Sequence, residues 1–112
     1  MDATIFAQAL KEEKDALVAG YLADADSPTG ALIKQVRDAG VSDDVIKEIL
    51  NGILTDVYYQ TLLGLDGQMP IGPLTERSYR LAAPDSTLIA TGDGTLAEAA
   101  YEAFYGEGEG EG

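Results

Sequence analysis

Carboxylates are the one reactive side-chain class this sequence holds in abundance: 20 Asp and Glu stand against 7 Lys and Arg, with no histidine and no cysteine. Without histidine the usual general base near neutral pH is missing, and so are Ser-His and Cys-His nucleophile pairs. Without cysteine there is no thiolate, no disulfide framework and no Cys-based zinc or iron–sulfur site. Two carboxylates about 5–10 Å apart could still hydrolyse a glycoside, but such a pair needs a deep cleft, which a chain of 112 residues with one core rarely shapes. The expectation is a protein that is not an enzyme.

The acids that imitate sites lack the rest of the pattern. Asp24 and Asp26 have the D-x-D start of a calcium loop, but Pro28 stands at the third ligand position and Gly30 is misplaced. Asp66-Gly67 and Asp93-Gly94 read as turns. Gly92-Asp93-Gly94-Thr95 precedes a helix, as an anion-binding loop would, yet it has no phosphate-loop Lys and carries its own acid. No metal and no cofactor are expected.

Contact is the chemistry that remains. The net charge of −13 survives removal of the Glu107, Glu109 and Glu111 tail, which leaves 17 acids against 7 bases. Such a balance repels nucleic-acid backbones and anionic lipid, and it suits a basic protein surface. The candidate partner-binding residues are Asp24, Asp26, Asp43, Asp44 and Glu48, at a linker and a helix start, together with Glu98, Tyr101, Glu102 and Tyr105. In the second group two tyrosines four positions apart are framed by acids, an apolar centre for a basic partner; the plainer alternative is packing of both rings against a hairpin. Glu13 falls in an apolar stripe with Phe6, Ala9, Leu10 and Leu17, where a buried carboxylate needs a partner; it is read as ion-paired with Arg77 or Arg80 or carried to the edge of the stripe by a bend, and a perturbed functional acid is the alternative.

Several elements must position these residues. From Asp2 to Leu22 the apolar residues Ile5, Phe6, Ala9, Leu10, Ala16, Leu17 and Tyr21 recur at helical spacing. Ser27 as N-cap with Pro28 behind it opens a second helix, which buries Leu32, Ile33 and Val36 and stops at Gly40. Ser42 caps a long third helix of about 20 residues, or about 30 Å, with Val41 and Ile46 as a hydrophobic staple and a stripe running Ile46, Ile49, Leu50, Ile53, Leu54, Val57, Tyr58, Thr61, Leu62. Gly52 is its one weak point. Leu65 to Leu74 reads as a packed loop, with Met69, Ile71 and Leu74 lidding the core or, as the alternative, presenting an adaptable contact surface. Glu76–Ala82 and Thr87–Ala90 form a hairpin turning at Pro84. Thr95 and Glu98 form a capping box for a last helix through Leu96, Ala99, Ala100, Ala103 and Phe104.

The fold class expected is therefore α+β and mainly helical: three N-terminal helices with a long central one, a β-hairpin and a short C-terminal helix. Residues 1–105 form one domain and 106–112 a flexible Gly/Glu tail. No apolar run suits a signal sequence or a membrane span, so a cytoplasmic protein is expected. Its function is read as a small acidic interaction module, an inhibitor, immunity-type or accessory protein docking on a basic protein. The alternatives are a small ligand-binding oligomer, such as a homodimer, and an acidic surface that serves only solubility.

Overall fold

The computed structural model describes residues 1–23, 26–75 and 79–106. Among these, helices α1 (Ala3–Ala23), α2 (Pro28–Asp38), α3 (Asp43–Leu65) and α4 (Thr95–Tyr105) accompany one antiparallel hairpin, β1 (Leu81–Ala82) with β2 (Leu88–Ala90). The protein is a mainly helical α+β fold.

Local chemistry starts each of the first three helices. The Asp2 carboxylate accepts from Ile5 N at 3.0 Å, Ser27 Oγ from Gly30 N at 2.9 Å and Ser42 Oγ from Val45 N at 3.3 Å, each taking up an orphan amide of a first turn. Gly40, at φ 102°, ends α2 in the left-handed conformation that glycine adopts without a Cβ penalty.

The core is built largely from small side chains. Ala3 and Ala7 of α1, Leu62 of α3, Ala83, Ile89 and Ala90 of the hairpin, and Leu96, Ala100 and Ala103 of α4 form one buried cluster. Alanine faces let α1 and α4 approach closely, and this fixes how α1 is turned. The stripe expected from periodicity is not the face α1 buries. It buries Ala3, Ala7, Lys11, Lys14 and Val18, while Ile5, Ala9 and Ala16 are exposed and Phe6, Leu10 and Leu17 half-buried. The two lysines fit because their stems pack and their ammonium groups find partners. Lys14 Nζ donates to Asn51 Oδ1 at 2.6 Å and to Asp15 Oδ1 at 2.7 Å, joining α1 to α3, and Lys11 Nζ lies 3.0 Å from Asp15 Oδ2.

Three further expectations are corrected. In α2 only Ile33 of the three apolar residues is buried, because α2 packs on α1 along one narrow face; Leu32 and Val36 stay exposed. The hairpin is shorter than its sequence pattern, although residues 76–78 lie outside the described part. Its turn closes through Ser86 N to Ala83 O at 2.8 Å, Ser86 has φ 74°, and the register shifts between Leu81 and Ala82. It lies on α1 and α4 through β2.

The Thr95–Glu98 capping box does not form. Thr95 is already helical, the N-cap is Gly94 at φ 91°, and the orphan amides are met by other acids. Asp93 Oδ1 accepts from Thr95 N at 2.9 Å, and Asp66, at the far end of α3, accepts from Ala97 N at 3.0 Å and Gly92 N at 3.1 Å. Asp66 is fully buried, and its charge sits at the positive end of the α4 dipole. Gln68 completes the clasp by donating to Asp66 O and Gly92 O. Within the Leu65–Leu74 loop, Ile71 and Leu74 exchange backbone hydrogen bonds, and Ile71 presses on Gly64, where a Cβ would come within 2.5 Å of its Cγ1. Ile71 and Met69 are half-buried, whereas Leu74 is exposed. The lid is partial.

Candidate functional site

The candidate contact residues fall into two groups on α3 and its neighbours. Towards the start of α3, a groove of about 770 Å³ runs between α1 and α3. Val18, Ala19 and Leu22 give it an apolar wall, and Asp15, Asp44, Lys47, Glu48 and Asn51 line the rest. Asp44 and Glu48, one turn apart, have no ion-pair or hydrogen-bond partner for their side chains among the described residues. Asp15 is different. Partial burial opposes its ionisation, but hydrogen bonds from Lys14 and Lys11 outweigh that and hold its carboxyl below the ordinary value.

The other acids of that group serve elsewhere. Asp43 takes a forked contact from Arg37, Nε to Oδ1 at 2.7 Å and Nη2 to Oδ2 at 3.3 Å, while Nη2 also donates to Leu22 O at 2.7 Å. Arg37 thus ties the end of α1 to the α2–α3 junction, and Asp43 is part of that tie. Asp26 is exposed in the turn before α2 and takes part in an interaction within the chain. Asp24 lies outside the described residues.

The second group surrounds the end of α4. Tyr101 and Tyr105 lie 5.7 Å apart between ring centres and remain about half exposed, at 54% and 47%. Tyr105 meets Tyr59 of α3 edge-on at 5.0 Å, and Phe104 stacks on Tyr58 at 6.3 Å. Partial burial, then the nearby Asp56 carboxylate, push the Tyr105 phenol upward. Glu98 and Glu102 stand exposed on the same helix. Eleven or more residues of α3 separate Tyr59 from Glu48 and Asp44, about 17–22 Å along the axis, so the two groups do not form one site.

Glu13 is exposed and not buried. It accepts from the Tyr58 hydroxyl at 2.7 Å, and that hydrogen bond pushes the Tyr58 phenol up from 10.0 to about 12. Tyr58, and not Arg80, is its partner among the described residues, and the expectation for Arg77 lies outside them.

One feature of this surface was hidden inside the helical periodicity. Val41, Val45, Ile49, Ile53 and Val57 follow each other at spacing four, and all five are exposed, Ile49, Ile53 and Val57 by more than half. Periodicity assigned the last three to the core. The signal that separates them is the spacing: a strict four-residue row drifts about 40° per step round a helix of 3.6 residues per turn, so it leaves a core fixed in direction. Among the described residues no group of three or more acids is placed to hold a metal ion, and no described helix is long and apolar enough to cross a membrane. No protein-family model matches this chain, and no curated protein or solved structure is similar to it.

Proposed function

We propose that the protein is a non-enzymatic docking module that presents an acidic, partly apolar face to a basic protein. The observation that carries this reading is the pairing of unengaged acids with uncovered apolar side chains: Asp44 and Glu48 stand between the apolar wall of the α1–α3 groove and the exposed Val45 and Ile49. Charged groups that already meet a partner inside the chain, such as Asp43 and Asp15, add little to recognition; those that do not are open to an incoming cation. Four of the seven bases, Lys11, Lys14, Lys34 and Arg37, are tied to neighbouring acids, and Lys47 is the one base in the lining of the groove beside Asp44 and Glu48.

A surface adapted only to solubility has no use for a continuous row of exposed Val and Ile, and contiguous apolar surface of this kind marks contact sites. The test is capture from the native host at low salt with elution along a salt gradient. A basic protein released at intermediate salt supports the reading. An empty capture at low salt sinks it.

A further inference from the structure

The i, i+4 row on α3 is uncharged from Val45 to Val57, about 18 Å of helix, and the row beside it is Asp44, Glu48, Gly52 and Asp56. Asp44 and Glu48 have no side-chain partner among the described residues, and Asp56, in no ion pair or hydrogen bond there, lies near the Tyr105 phenol. Rows at spacing four are the ridges by which one helix settles into the grooves of another. At Gly52, midway along the acidic row, a Cβ would have nothing within 4 Å, so nothing in this chain asks for glycine there, although glycine weakens the interior of a helix. The face thus offers an apolar ridge and, along one side, an acidic border with a notch midway.

We propose that this face of α3 seats an amphipathic helix of the partner protein, with the partner's apolar stripe on Ile49, Ile53 and Val57 and a row of its Lys or Arg against Asp44, Glu48 and Asp56. The proposal rests on the docking-module reading above and names what is docked. Charge decides the occupant. A second copy of this chain would bring a further −13 to the interface, and a neutral helix would leave the acidic border unanswered. A basic amphipathic helix meets both halves of the face at once, in the helix-on-apolar-face mode of peptide recognition.

The test uses two synthetic helical peptides with the same Leu face, one flanked by Lys and one by Glu, titrated into the full chain by fluorescence anisotropy at low salt. The Lys-flanked peptide is expected to bind, at least tenfold more tightly than its Glu-flanked twin. Ile53→Asp, at a half-exposed position where circular dichroism should report an intact fold, is expected to weaken it at least tenfold. The double variant Glu48→Lys with Asp56→Lys is expected to invert the preference between the peptides. Equal affinity for the two peptides, binding of neither, or indifference to Ile53→Asp would overturn the proposal. So would sedimentation showing a wild-type dimer that Ile53→Asp converts to monomer, because the row would then belong to a second copy. If a basic host protein is captured equally by wild type and Ile53→Asp, the docking-module reading stands and the α3 face is not where docking occurs.

Discussion

Replacing Asp66 should cost more stability than replacing any other acid in the chain. Its side chain is fully buried, yet both carboxylate oxygens are satisfied, one by Gly92 N at 3.1 Å and the other by Ala97 N at 3.0 Å. Hydrogen bonds to a charged group contribute about 1.5–3 kcal/mol each, and a buried donor left without an acceptor costs a similar amount. Asp66→Ala strands both amides and leaves α4 without its distant cap, so a loss of about 3–5 kcal/mol is expected. Asp66→Asn keeps one acceptor oxygen but turns an NH2 group towards the other amide, for a loss of about 2 kcal/mol. Urea unfolding followed by circular dichroism reads both values. At a slope of about 2 kcal/mol per molar urea, Asp66→Ala moves the midpoint down by about 2 M. Hydrogen exchange adds a local check, because the Ala97 and Gly92 amides should lose protection in the variants. Thr95→Ala should cost little, since Thr95 is not the cap. A loss below about 1 kcal/mol for Asp66→Ala, with a larger one for Thr95→Ala, would refute the clasp and restore the local capping box.

Other perturbations have defined outcomes. A phenolate absorbance titration should find one tyrosine ionising near 12, and Glu13→Gln should bring it down towards 10.0; unchanged curves would remove the Glu13–Tyr58 hydrogen bond from the account. Because the Tyr58 value is raised on folding, its contribution to stability is complete below pH 10 and fades as pH rises towards 12. Asp15 has the opposite sign: its folded value lies below 3.8, so its contribution is present above that pH and is lost as pH falls through the folded value. Asp15→Asn should therefore flatten the acid limb of the melting-temperature profile, and a limb of unchanged steepness would contradict the Lys11–Asp15–Lys14 arrangement. Ser86→Gly should stabilise the protein by about 1 kcal/mol by relieving a left-handed backbone at φ 74°, and a loss in urea unfolding would argue against that turn. Gly52→Ala should also stabilise it, by about 0.8–1 kcal/mol, because the new methyl group meets no other atom of the chain; a destabilised variant would mean that the position is covered.

The parts of the fold written in local chemistry were legible in the sequence. Ser27 with Pro28, Ser42 and Gly40 announce helix ends because each acts on amides or dihedrals a few residues away. Tertiary choices were not. Hydrophobic periodicity cannot tell that α1 turns its alanines and two lysines inward, because that orientation depends on the matching alanines of α4 and on Asn51 of α3 receiving Lys14. Likewise Asp66-Gly67 has the composition of a turn, and only the approach of α4 converts its acid into a cap 31 residues away. Asp44, Glu48 and the tyrosine pair could be picked out as exposed groups, but Asp43 is equally acidic and is held by Arg37. The uncovered Ile49, Ile53 and Val57 were the hardest to see, since apolar residues at helical spacing are read first as core.

On the proposed reading, the acidic and apolar face of α3 engages a basic partner. The most direct measurement is capture from the native host on wild-type protein and on Ile53→Asp in parallel, with the bound fraction followed from low to high salt. A basic protein held by wild type at low salt, released as salt rises and missing from Ile53→Asp is the predicted result. Retention of nothing by wild type, or retention indifferent to salt, would contradict it.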